Sequence, residues 1–328
     1  MPALAIGVVL FSTFLHAWWN VLAKGAGGPR PTVFLNAGLV LATPGVLVVA
    51  ITEVAGVPIL GHVWAPLLGA GLCQGVYFVG LSYGYQNGDL SVVYPITRAL
   101  PVLLLGVADS LIQRTPSAIG WAGLALVAAG CVVVSRPPSR PSARHPSSPS
   151  QHGELPRTSR RRQLAGWAQP QVLWAAVAAL GTVGYTVFDK RAAEVMAAST
   201  GGGLPQALRY GLAEIVLSTA VLAGMLLVSG GLRRADEPAE SPGLGRARRA
   251  RTWSRSVVIG LLIFGAYGLV LWAYQLAERA SYIVALRQFS IVLAVIAGAV
   301  MLREAAPGRR ITAALIITAG VSVVALAP

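Results

Sequence analysis

Apolar residues in this chain come in stretches long enough to cross a lipid bilayer, and ten such stretches follow one another. A hydrocarbon core needs roughly 20 mostly apolar residues per helical crossing. Windows of that size fall at 3–23, 33–55, 63–85, 90–110, 117–135, 170–190, 204–229, 255–276, 281–302 and 309–327. Main-chain polar groups in lipid must be satisfied within a helix or a closed barrel, and these windows are about twice the length of a barrel strand. The expected class is therefore all-α integral membrane, with ten transmembrane helices. Composition points the same way. Of the 328 residues 55% are hydrophobic and 12% charged, and the mean hydropathy of +0.65 is too high for a soluble domain.

A formal charge of +14 would suggest nucleic acid as the partner of a soluble protein. Here the arginines crowd into loops beside apolar windows, where the positive-inside bias and attraction to anionic lipid account for them. No nucleic-acid partner is expected. Cys73 and Cys131 both lie inside apolar windows, so the sequence offers neither a disulfide framework nor a metal cluster. The first window has no basic segment before it, and Lys24 and Arg30 follow it. It is expected to be retained rather than cleaved as a signal peptide.

The chain also contains an internal echo. Tyr85, Gln86, Asp89, Arg98, Leu104, Ala108 and Arg114 recur, at one constant offset and without a gap, as Tyr274, Gln275, Glu278, Arg287, Leu293, Ala297 and Arg303. This suggests a duplication, with residues 1–135 as a first five-helix repeat and 169–328 as a second. Residues 136–168 form a basic linker rich in Pro, Ser and Arg, too poor in apolar residues to offset the entropy of ordering. A second polar loop is expected at 231–254. An odd number of crossings per repeat turns the second repeat over, and inverted repeats with a site between them are a transporter architecture. Loop charge places both linkers in the cytoplasm and both termini outside.

Polar residues within the windows are the candidate site. Arg98 and Arg287 each lie about 10 Å into a helix at about 1.5 Å per residue. From inverted repeats they would approach the midplane from opposite sides and bind a carboxylate or phosphonate through their planar forks. The same depth also lets each guanidinium reach the headgroups. Glu214 is a deeply placed carboxylate, read as a counter-ion to an arginine or as a proton carrier. His16 and Asn20 share a helix face, with Trp19 beside them. Gln74, Tyr77, Tyr185 and Gln288 complete the expected substrate-binding set, with Asn36 a further candidate and Asp189 and Lys190 on the same window as Tyr185. Glycines at 71, 75, 80, 84 and 88 suit close helix packing. There is no Walker-type loop or HExxH, so no catalytic residue, metal or cofactor is expected, and energy would come from a gradient.

His16, Ala17, Trp18, Trp19, Asn20 and Lys24, the five-plus-five layout, and Leu302, Arg303, Glu304 and Pro307 ahead of a glycine-bearing last helix resemble the EamA-type branch of the drug/metabolite transporter superfamily. The first repeat departs from that pattern, with Gln113, Arg114, Thr115 and Pro116 lacking the glutamate. The resemblance implies ten helices around a central cavity, alternating access, and movement of small metabolites such as amino acids, often outward. It also implies cytoplasmic termini, against the loop charge. The expectation is a multi-pass transporter of the cell membrane, monomeric or homodimeric, whose partners are a small polar or anionic substrate, the bilayer, and anionic lipid at the linker. The alternatives are a membrane scaffold or sensor acting through that linker and an enzyme acting on lipid headgroups.

Overall fold

In a computed structural model of the chain, the described residues are 1–24, 31–87, 90–135, 170–229, 242–301 and 308–328. The expected linker at 136–168 and the first part of the second polar loop lie outside them. Among the described residues all regular structure is helical: α1 (Ala3–Lys24), α2 (Pro31–Ala55), α3 (Leu60–Asn87), α4 (Leu90–Leu111), α5 (Ala118–Ser135), α6 (Pro170–Thr200), α7 (Leu204–Val228), α8 (Pro242–Leu276), α9 (Ala280–Arg287), α10 (Phe289–Met301) and α11 (Gly308–Leu326). Among the described residues seven helical stretches are long and apolar enough to cross a membrane, and α1 and α5 carry shorter apolar runs. Large apolar side chains stand on the outside of the bundle, among them Leu47, Val54, Leu180 and Leu315. That is the surface of a multi-pass membrane protein, since a monomer in water rarely exposes so much continuous apolar area.

Three boundaries differ from the hydropathy windows. α6 runs to Thr200 instead of stopping near residue 190, because the charges that lower the local hydropathy are bound. The Lys190 ammonium donates to the carbonyls of Tyr274 at 2.9 Å and Ala277 at 2.6 Å, and Glu194 accepts from it and from Arg114. α8 starts at Pro242, so much of the expected second polar loop is helix; its Arg and Ala residues are strong helix formers and proline suits a first turn. The ninth window is two helices, broken at Gln288. Its N–H bonds to the Ala285 carbonyl at 3.0 Å, in a tight turn, and its side-chain Nε2 donates to the freed Val284 carbonyl at 3.3 Å. The side chain thereby satisfies the acceptor that the break releases, as a membrane interior requires.

The glycines of α3 are packing residues. A Cβ at Gly71 would lie 2.6 Å from Leu217 and one at Gly75 2.4 Å from Val221, both on α7. One at Gly80 would strike the α6 main chain, 2.7 Å from Ala178 N, and α6 answers with Gly181, 2.9 Å from the Cys73 carbonyl. Two helices therefore meet α3 at backbone distance, one at each pair of small residues.

The loops at 56–59, 112–117, 200–203 and 277–279 and the C-terminus gather at one end of the bundle, which polar contacts close. Arg209 pairs with Glu53 at 2.8 Å and also donates to the Thr52 and Val57 carbonyls. Glu53 in turn accepts from the Ile59 and Leu60 N–H groups and so caps α3. Asp109 of α4 accepts from the N–H groups of Ala280 and Ser281, capping α9 from outside. Arg279 donates to the Arg114 and Pro328 carbonyls. The Glu194 carboxylate holds the Arg114 guanidinium above its ordinary range. Gln275 clasps the main chain of Gly203, accepting from its N–H at 2.6 Å and donating to its carbonyl at 3.3 Å. The turn there has φ of +73°, +64° and +106° at Gly201, Gly202 and Gly203, which side-chain-bearing residues rarely adopt.

Candidate functional site

Two adjoining cavities occupy the centre of the bundle. The larger, about 80 Å³, is lined by α1 through Ser12, Thr13, His16 and Trp19, by α3 through Gln74 and Tyr77, and by Tyr185, Tyr267 and Arg287. The smaller, about 30 Å³, is lined by Thr97, Arg98, Arg287 and Gln288. His16, Tyr77, Tyr185 and Arg287 face both. The larger has room for several waters and is well below the size of a typical metabolite pocket.

The walls are built from helical periodicity. Ser12, Thr13, His16 and Trp19 recur on one face of α1 at spacings of three and four. Trp19 Nε1 donates to His16 Nδ1 at 3.2 Å, so the imidazole turns its other nitrogen toward different partners. An aromatic chain runs across the site. Tyr185 stands edge-on between Tyr77 at 5.8 Å and Tyr267 at 6.1 Å, and the Arg287 guanidinium lies 6.0 Å from the Tyr267 ring centre. That geometry adds a cation–π attraction to an intramembrane charge. The Gln74 Oε1 is buried and accepts no hydrogen bond.

Arg98, Arg287, His16, Trp19, Gln74, Tyr77, Tyr185 and Gln288, named from sequence, all line one or both cavities. The side chain of Asn20 lies outside the described residues. Glu214 sits behind the cavity wall, fully buried, and its Oε1 lies 3.1 Å from the Tyr267 hydroxyl. Sequence reasoning missed Tyr267, Ser12 and Thr13, and it did not join Asp189 to Glu214. Asp189 is as deeply buried as Glu214; Tyr210 donates to its Oδ1 at 3.2 Å and Tyr267 to its Oδ2. The available signal was the spacing of four between Tyr185 and Asp189, which sets both on one face of α6.

No family model matches the chain, and no curated protein matches it. Among 27 solved chains that do match, one described as a crystal structure of protein superposes with a TM-score of 0.64 at 18% identity, over 98% of this chain and 97% of that one. The fold is thus shared along nearly its whole length with a structure of very different sequence.

Proposed function

We propose that the protein is a gradient-driven secondary transporter of a small polar or anionic metabolite, such as an amino acid or a related compound, working by alternating access. The observation that carries this reading is the convergence of Arg98, Arg287 and Gln288 with Tyr77 and Tyr185 on a polar cavity beside a broken helix. Intramembrane arginines are costly and usually mark a substrate path. Irregular main chain at membrane depth is tolerated where it lines a cavity, and discontinuous helices commonly build transporter sites. The guanidiniums orient an anionic group and the tyrosines and His16 supply hydrogen bonds.

Further support comes from arrangement. α3 packs along α6 as α1 packs along α8, and α5 packs on α11, the pairing that two five-helix repeats related by a two-fold axis would produce. Ten crossings, with α9 and α10 counted as one, and an inverted repeat fit this pattern. The closed end described above and the small cavity correspond to a state in which substrate cannot pass. The resemblance to the EamA-type branch fits the same reading, with export as the direction it suggests.

The test is exchange by purified protein in liposomes loaded with unlabelled L-glutamate, L-serine, L-threonine or L-phenylalanine and presented with the radiolabelled compound. Retention of label in protein-containing but not empty liposomes supports the reading. If no member of the panel, nor a second panel of small mono- and dicarboxylates, exchanges above empty liposomes, the reading fails.

A further inference from the structure

Behind the cavity, α6, α7 and α8 bring two carboxyl groups against a single tyrosine hydroxyl. The Tyr267 O–H reaches Asp189 Oδ2 and Glu214 Oε1 together. A phenol has one proton, so it can donate to only one of them. Asp189 has a second donor in Tyr210, 3.2 Å from Oδ1. Glu214 has no second donor, its Oε2 being buried and unpartnered; its other contact is with the Asp189 carboxyl itself, which two carboxyl groups can share only with a proton between them. With Tyr267 donating to Asp189, the contact with Glu214 is a hydrogen bond only if Glu214 itself carries a proton and donates it to the phenol oxygen.

From this arrangement we infer that Asp189, Tyr267 and Glu214 form a proton-binding site, with one proton shared by the carboxyl pair and resting on Glu214 Oε1, and that this proton couples transport to a proton gradient. The coupling half rests on the transporter reading above; the site itself does not.

Charge argues for one proton rather than none or two. Two carboxylates this close in a dry interior repel and lack hydration, so one of them is held neutral. The remaining anion has a cation within reach, because Arg287 of α9 stands against the Tyr267 ring. The neighbours offer little else. Cys73 faces the pair from α3 and Tyr274 from α8. On α6 itself Tyr185 lies one turn away, and Lys190 is committed to two carbonyls and Glu194. Asp109 of α4 is turned to the start of α9, and Glu53 of α2 is bound to Arg209.

The site also has a path. Tyr267 lines the larger cavity while Asp189 and Glu214 lie behind it, so this side chain stands between the pair and the cavity. Release takes two moves: the Tyr267 O–H turns from Asp189 and gives its proton to water in the cavity, and the Glu214 proton passes to the phenol oxygen, leaving two carboxylates, a neutral phenol and a hydronium equivalent. Two anions then face Arg287, which draws its guanidinium toward the pair and away from the smaller cavity. Proton occupancy and the position of the substrate-orienting arginine are linked in this way.

Infrared spectroscopy of the purified protein tests the site without any substrate. At pH 7 the wild type should show the carbonyl stretch of a protonated buried carboxyl, moving on exchange into heavy water. Glu214→Gln should remove it, Asp189→Asn should shift it, and Glu53→Gln, remote from the pair, should leave it. A wild-type spectrum without that band, or a band unchanged in both Glu214→Gln and Asp189→Asn, overturns the site. Because Asp189→Asn and the wild-type heavy-water shift are read separately, a poorly folding Glu214→Gln does not decide the matter.

Coupling is read in liposomes with the amino-acid panel above and the membrane potential clamped at zero. A pH gradient of one unit coupled to one proton should support about tenfold accumulation of the exchanged compound. Exchange at equal pH without accumulation under the gradient overturns coupling while leaving the transporter reading intact. Absence of exchange removes the transporter reading, and coupling with it, whereas the infrared result stands by itself.

Discussion

Arg98 and Arg287 line the same cavity from helices that reach it from opposite ends. α4 finishes where α9 begins, since Asp109 caps the first turn of α9 and Arg114 donates to the Glu278 carbonyl. Arg98 follows the start of α4 by eight residues and Arg287 follows the start of α9 by seven. A ligand between them would meet one guanidinium from each side.

Their contributions should be unequal, because Arg287 lines both cavities and Arg98 only the smaller. Arg287→Ala should lower the kcat/KM of exchange by about tenfold or more, the worth of a charge-assisted hydrogen bond. Arg98→Ala should cost less, and Arg287→Lys should recover only part, since an ammonium cannot fork. Flux and selectivity unchanged in both alanine variants would make the arginines structural.

Glycines that look alike in sequence should separate by cost. Gly80→Ala and Gly181→Ala place a methyl against main-chain atoms that cannot yield, at about 1–3 kcal/mol each. Gly224 has nothing within 4 Å of a Cβ, so Gly224→Ala should be neutral or raise stability slightly. Thermal unfolding in detergent measures all three, and equal shifts would contradict the crossing geometry.

The cap on α9 makes Asp109 a residue whose charge matters less than its oxygens. Asp109→Ala should lower the thermal midpoint, with a cost of about 0.5–2 kcal/mol for the lost cap. Asp109→Asn keeps an acceptor for one of the two N–H groups and should lie between.

Loosening the closed end should expose the cavity. Glu194 gathers Arg114, Lys190 and Arg191, so Glu194→Gln removes the charge that holds three cations together. In a background with Cys73 and Cys131 replaced by alanine, a cysteine introduced by Ser12→Cys should react with a membrane-impermeant maleimide severalfold faster when Glu194→Gln is added. An unchanged rate would place the barrier elsewhere.

The apolar windows located nearly every helix, because twenty apolar residues have few alternatives in lipid. They erred where a charge was already bound: Asp189, Lys190 and Arg191 read as the end of a crossing, yet α6 continues because tyrosines, carbonyls and Glu194 give all three a partner. On α1, His16 and Trp19 were legible from spacing and Ser12 and Thr13 were not; the two arginines were legible from burial cost. The break at Gln288 was not, since neither proline nor glycine marks it and the signal is a side chain replacing a main-chain donor. Nor was the Asp189–Glu214 pair, whose members sit on different helices with no common register. Such pairings are set by how α6, α7 and α8 lean together, which no local pattern encodes.

The closed end is held largely by side chains donating to main-chain carbonyls: Lys190 to Tyr274 and Ala277, Arg209 to Thr52 and Val57, Arg279 to Arg114 and Pro328. A carbonyl is present whatever residue bears it. Where a position offers only its carbonyl, as Val57, Ala277 and Pro328 do, its identity can change without loosening the latch, and control over when it opens rests with the cations and the carboxylates that hold them.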